Sequence, residues 1–208
     1  MDFKEQVRQW ISPDARSLLG LMLESGGAGD EDVTIAFTDI ADHTSFTDRL
    51  GDDAARALVK AHDRIVRAEL AGVGGREVKH TGDGIMASFP SAARALRFAV
   101  SVQRSVAAWN ARHEPAAPLR VAIGLNSGSP IADHGDLFGT AVIVASRITD
   151  RAAGDQILVA DVVRQLASGK GFTFLPRGSE TLEGLSEAVP LFEVVWQQDS
   201  AAERAAAG

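Results

Sequence analysis

The sequence predicts an α+β domain with a ferredoxin-like βαββαβ core: an antiparallel sheet with helices packed on it. Three observations carry this. An Asp-Gly turn, Thr81-Gly82-Asp83-Gly84, separates the runs Arg76–His80 and Ile85–Phe89 and reads as a hairpin. Long helical stretches flank that hairpin, about Thr44–Ala71 before it and Ser91 to about Arg112 after it. Apolar runs at Val33–Phe37 and Leu119–Leu125 supply strands at either end of the pattern.

The remaining elements follow in order. Residues 1–24 read as helix, because Ser12-Pro13-Asp14 combines a capping serine with proline at the first helical position. Ser25–Asp32 (SGGAGDED) is a linker. The main domain is placed at 33–196, after an N-terminal helix and linker at 1–32 and before a flexible tail at 197–208. Leu137–Asp150 reads as helix, Ile157–Val159 as strand and Val162–Ala167 as helix. Late strands are expected near Phe172–Leu175 and Pro190–Val195.

Composition narrows the function. The 208 residues allow one sizeable core, with 45% hydrophobic residues. A net charge of −7 argues against nucleic-acid binding, which needs a basic face. No apolar run approaches the length of a membrane span, and MDFKEQVRQW lacks a signal-peptide pattern. The absence of cysteine excludes disulfides and thiolate metal sites. A cytoplasmic protein without membrane insertion is expected. Lysine is rare, only Lys4, Lys60, Lys79 and Lys170, so a lysine beside a glycine-rich turn stands out.

Two aspartates occupy positions suited to chemistry. Asp39 closes an apolar strand and Asp83 lies in the hairpin turn. If these strands are neighbours, both carboxylates reach one sheet edge, where a hard cation such as Mg²⁺ or Mn²⁺ fits them. Turn aspartates also serve turn geometry alone, so that reading stays open for Asp83. After Asp39 the chain enters a helix near Thr44, whose free backbone N–H groups suit a phosphate.

These residues resemble the motifs of class III nucleotidyl cyclases, the adenylate and guanylate cyclases. Phe37-Thr38-Asp39-Ile40 looks like their first metal motif, and Val78–Gly84 like their lysine-to-aspartate hairpin. Asp136–Val142 followed by Ala145-Ser146-Arg147 resembles the opening of their catalytic helix. Gly154–Val159 and Leu182-Glu183-Gly184 match later landmarks in order, so the resemblance spans 33–196. It implies an adenylate cyclase that converts ATP to cyclic AMP and pyrophosphate as a homodimer. Asp39 and Asp83, assisted by the Ile40 carbonyl, would hold two Mg²⁺ or Mn²⁺ ions per site. Arg147 would stabilise phosphate charge. Lys79 and Asp136 would read adenine, as donor to N1 and acceptor from the 6-amino group. Metal residues of one chain would face base-reading and arginine residues of the other.

Two positions depart from the family pattern. Seven residues after Asp136, where an asparagine usually orients the ribose, stands Ile143. Glu183 stands where a lysine commonly lies near the outer phosphates. These departures support an alternative, a catalytically poor cyclase-like domain that binds nucleotide or partners another cyclase. A related diguanylate cyclase is disfavoured because its Gly-Gly-acidic-Glu-Phe turn is missing. The segment Gly128–Gly135 is shorter than in many relatives, where it helps build the dimer. His43, His80, His113 and His134 show no metal-ligand spacing.

Overall fold

A computed structural model describes residues 32–115, 117–185 and 187–197. The helix expected over 1–24, most of the linker and nearly all of the tail lie outside the described residues. Nine strands and five helices are described. They are β1 Val33–Ile40, α1 His43–Leu50, α2 Asp52–Val73, β2 Arg76–His80, β3 Gly84–Phe89, α3 Ala92–His113 and β4 Val121–Gly128. Then come β5 Ile131–Asp133, β6 Asp136–Phe138, α4 Thr140–Arg151, β7 Ile157–Ala160, α5 Asp161–Leu166, β8 Phe174–Thr181 and β9 Ala188–Val194.

The main sheet runs β2-β3-β1-β4-β7-β9-β8. Its first four strands, with α2 and α3, form the expected βαββαβ core. Among the described residues only the β4–β7 pair of this sheet is parallel. β1 lies between β3 and β4 and is buried along nearly its whole length. Alternation along β1 sends neighbouring side chains to opposite faces. Ala36 and Ile40 join a core with Leu58, Ile65, Val66, Leu96 and Phe98 from α2 and α3. Ile35 and Phe37 join Met86, Leu137, Val142 and Ala145, so α4 covers the other face. Asp39 follows the parity of Ile35 and Phe37.

Local chemistry explains the helices. α2 buries Ala55, Leu58, Ala61, His62, Ile65, Val66 and Leu70, a stripe at three- and four-residue spacing. The single helix expected over 44–71 is two, because Gly51 adopts φ 83° and ψ 167°, a conformation reserved for glycine. α3 starts after Ser91, as expected, and packs Phe98 on Phe89 with ring centroids 5.0 Å apart.

The helix expected from Leu137 starts three residues later. Asp136–Phe138 is instead a strand, paired with Ile131–Asp133. His134 and Gly135 join the two strands with φ of 46° and 88°, a two-residue turn in left-handed conformation. This small hairpin occupies the short segment before the helix. Among the described residues no helix is long and apolar enough to cross a membrane.

Candidate active site

The β1–β3 ladder brings the two predicted aspartates to one place. Asp39 pairs with Gly84, the residue after Asp83. The strands approach so closely that a Cβ on Gly84 would stand 2.0 Å from the Thr38 carbonyl oxygen. Only glycine fits there. Asp39 and Asp83 are both half-buried. Asp83 Oδ2 lies 3.5 Å from His43 Nδ1 at the start of α1, so His43 belongs to the site although its spacing in the sequence signals nothing.

α1 begins at His43, with Asp42 in left-handed conformation before it. The Asp42 side chain does not cap its first turn, whose N–H groups suit another acceptor. Thr44 is the second residue of α1; its side chain lies outside the described residues. Ile40 is buried at the end of β1, and the following Ala41 N–H bonds the Arg120 carbonyl at 2.9 Å.

Lys79 reaches its position through a β-bulge. Glu77 pairs with Ala87, yet Lys79 pairs with Met86, so Val78 is the extra residue. Met86 faces α4, and the bulge turns Lys79 to that face. Lys79 Nζ donates to Asp136 Oδ2 at 2.7 Å and lies 5.6 Å from the centre of the Phe138 ring. Asp136 Oδ1 accepts the Leu137 N–H at 2.8 Å. The two residues predicted to act together are therefore in contact across 57 positions of sequence. Both are partly exposed, at 21% and 28% of their side chains.

The same bulge sends His80 to the opposite face. His80 pairs with Ile85, which faces α2, and His80 Nε2 lies 3.0–3.1 Å from the Asp63 carboxylate. Asp63 also meets the fully buried His62 at 3.1 Å and Arg67 Nη1 at 3.2 Å. Burial pushes the Asp63 carboxyl up, but hydrogen bonds from His62 and His80 outweigh it and hold the group below its ordinary value. Asp63 is thus a carboxylate that stabilises the fold above about pH 4, a contribution lost as pH falls through its lowered pKa. Arg67 forks onto Glu77 at 2.8 and 2.9 Å, tying α2 to β2 and holding Glu77 below its ordinary value.

Arg147 is on α4 and only 7% exposed. Its Nη1 donates to Asp150 Oδ2 at 3.2 Å. Nη2 stands 3.6 Å from Glu183 Oε2, too far for a hydrogen bond. Nε and Nη2 are buried without a hydrogen-bond partner among the described residues. Such donors inside a fold await an acceptor, and the guanidinium fork suits phosphate oxygens. Glu183 itself is 68% exposed at its side chain. Ile143, one turn before Arg147, is half-buried.

Comparison with known proteins agrees with this architecture. The adenylate and guanylate cyclase catalytic domain family matches residues 28–194. An uncharacterized protein of Mycobacterium tuberculosis is 33% identical over 160 residues, covering 77% of this chain and 40% of that protein. The crystal structure of an adenylate/guanylate cyclase/hydrolase from Silicibacter pomeroyi superposes with a TM-score of 0.70 at 27% identity, covering 79% of this chain and 96% of the other. The adenylyl cyclase CyaB from P. aeruginosa shares the fold, with a TM-score of 0.71 at 20% identity over 81% of this chain and 95% of the other. This chain spans less than half the length of that mycobacterial relative. With the family match extending across its whole sheet, the chain belongs to the adenylate and guanylate cyclase catalytic domain family.

Proposed function

We propose that the domain, residues 33–196, is an adenylate cyclase that converts ATP to 3′,5′-cyclic AMP and pyrophosphate at a homodimer interface. The observation that carries the adenine reading is the Lys79–Asp136 pair at 2.7 Å. An ammonium donor and a carboxylate acceptor side by side match adenine N1 and the 6-amino group. Guanine presents N1–H and O6 in the reverse order and leaves both protein groups mispaired. Sites built on such hydrogen bonds discriminate strongly.

Cyclases of this family use divalent metal ions. The residues fit them. Asp39 and Asp83 converge where β1 meets β3, while no cage of three or more His, Asp or Glu side chains occurs among the described residues. Mg²⁺ and Mn²⁺ suit such a pair when substrate phosphates and water complete the shell. We assign two ions to each site, held by Asp39, Asp83 and the Ile40 carbonyl. When bound, they supply acidification of the ribose 3′-hydroxyl and charge neutralisation at the leaving pyrophosphate. The N–H groups at the start of α1, around Thr44, bind phosphate oxygens. Arg147 directs its unsatisfied guanidinium donors at charge developing on the phosphates. The sharing of the site between two copies is inferred from the family motifs; it pairs the aspartates of one chain with Lys79, Asp136 and Arg147 of its partner.

Base choice provides the test. Lys79→Glu combined with Asp136→Cys lowers ATP turnover far more than GTP turnover, measured side by side with Mn²⁺. An unchanged ATP:GTP ratio contradicts the assignment.

One observation favours a second reading, a cyclase domain of low activity that serves as a nucleotide-binding or heterodimer partner. The Glu183 carboxylate stands 3.6 Å from Arg147, where it competes with phosphate for the guanidinium. Ile143 adds to the deficit, since its side chain cannot bond the ribose. Ile143→Asn is expected to raise kcat about 10-fold to 100-fold, the worth of one good polar contact. The gain is largest when combined with Glu183→Lys, which removes the competing charge. Steady-state kinetics on the two single variants and the double variant check this. An unchanged kcat in a folded dimer places the deficit elsewhere.

A further inference from the structure

We propose that Asp63 is a positioning residue for both metal-bearing aspartates, acting on Asp39 through His62 and Thr38 and on Asp83 through His80. The inference rests on the two-metal reading above.

The first arm runs through the core. His62 is fully buried, so both ring nitrogens require partners. Nδ1 is 3.1 Å from Asp63 Oδ1, and Nε2 is 3.0 Å from Thr38 Oγ1. Asp63 is an ionised acceptor, so Nδ1 carries a proton, while Nε2 shares a hydrogen bond with the Thr38 hydroxyl, whose oxygen also stands 3.4 Å from the Ile85 carbonyl. The Thr38 oxygen accepts the Ile85 N–H at 3.2 Å. Thr38 and Ile85 are the neighbours of Asp39 and Gly84, which pair with each other. The arm therefore clamps β1 to β3 one residue from Asp39 and two from Asp83.

The second arm runs along the hairpin. His80 Nδ1 accepts the Gly82 N–H at 3.2 Å, so that nitrogen carries no proton. Nε2–H then donates to Asp63. Gly82 directly precedes Asp83, and this bond fixes the turn that presents it. One carboxylate on α2 thus orders two imidazoles through opposite ring nitrogens, one on each side of the Asp39–Gly84 junction. Arg67, on the outer side, bonds Asp63 Oδ2 at 3.2 Å from a half-exposed position, and no contact to either imidazole is seen among the described residues.

This arrangement has the logic of outer-shell residues at metal sites, whose loss costs about 10–100-fold in metal affinity. The experiment measures free Mn²⁺ by electron paramagnetic resonance in the presence of a non-cyclising ATP analogue. It compares the wild-type chain with Asp63→Asn, His80→Ala, Arg67→Met and Asp39→Ala. Thermal unfolding establishes that each variant folds. Asp63→Asn keeps an acceptor at Oδ1 but removes the charge and replaces Oδ2 with an amide donor, which then faces His80 Nε2 and Arg67 Nη1. It is expected to raise half-saturating Mn²⁺ about tenfold. In the metal-free protein it also shifts the His80 ring ¹⁵N resonances away from the Nε2–H tautomer. His80→Ala, at a partly exposed position, raises half-saturating Mn²⁺ in the same direction and decides the matter if Asp63→Asn does not fold. Arg67→Met leaves Mn²⁺ binding unchanged. Wild-type Mn²⁺ binding in folded Asp63→Asn, or in His80→Ala where Asp63→Asn fails to fold, overturns the proposal, provided Asp39→Ala has lost binding. Wild-type binding in Asp39→Ala overturns the two-metal reading itself, and the positioning role with it.

Discussion

Asp39→Ala and Asp83→Ala each lower cyclic nucleotide formation by about 10³-fold, the upper range for losing one preorganised electrostatic group. Asp39 and Asp83 come together at the β1–β3 junction, and each alanine variant removes one of the two carboxylates proposed to hold the metal ions. The fold survives both changes. Both side chains are half-buried, and the Asp83–His43 contact at 3.5 Å is partly exposed, where such contacts contribute no more than about 1 kcal/mol. Product formation with saturating Mn²⁺, alongside thermal unfolding, checks the pair of variants. Undiminished turnover in both contradicts the assignment of these aspartates.

The second large effect is complementation. Asp39→Ala and Arg147→Ala are each inactive alone. Mixed in equal amounts, they recover about a quarter of the wild-type rate per chain, because random pairing makes half the dimers mixed and each mixed dimer holds one intact site of two. The intact site takes its aspartates from the Arg147→Ala chain and its arginine from the Asp39→Ala chain. Arg147→Ala leaves Asp150 without a partner, but Asp150 is exposed and remains hydrated. Activity measured against mixing ratio, with subunit exchange followed by fluorescence energy transfer, checks the expectation. No recovery despite demonstrated exchange contradicts a shared site.

Much of this arrangement was legible in the sequence because its signals are local. The Asp-Gly turn marked β2 and β3 to within a residue, and apolar runs marked β1 and β7. Ser91 located the start of α3. The order of the motifs singled out Lys79 and Asp136 together, and the structure brings them into contact. What escaped depends on tertiary context. The bulge at Val78 decides which face Lys79 and His80 reach, and no residue at that point signals it. The split at Gly51 needed a backbone conformation rather than a propensity. The β5–β6 hairpin was hidden because His134 adopts a left-handed conformation more usual for asparagine or glycine, although His-Gly between Ile-Ala-Asp and Asp-Leu-Phe was a readable cue. His62 sits on the apolar stripe of α2, where only its bonds to Thr38 and Asp63 explain a buried imidazole. The contact of Arg147 with Glu183 joins a helix to a distant loop and gives the departure at Glu183 a physical meaning.

The central claim is that this domain cyclises ATP with its own residues in a homodimer. Purified protein of established dimeric state, incubated with ATP and Mn²⁺, tests it most directly, with both products quantified by chromatography and mass spectrometry. The account predicts 3′,5′-cyclic AMP and pyrophosphate in equal amounts, slowly formed in the wild-type chain and lost in Asp39→Ala. A folded wild-type dimer that binds ATP and Mn²⁺ yet forms no cyclic nucleotide would contradict it.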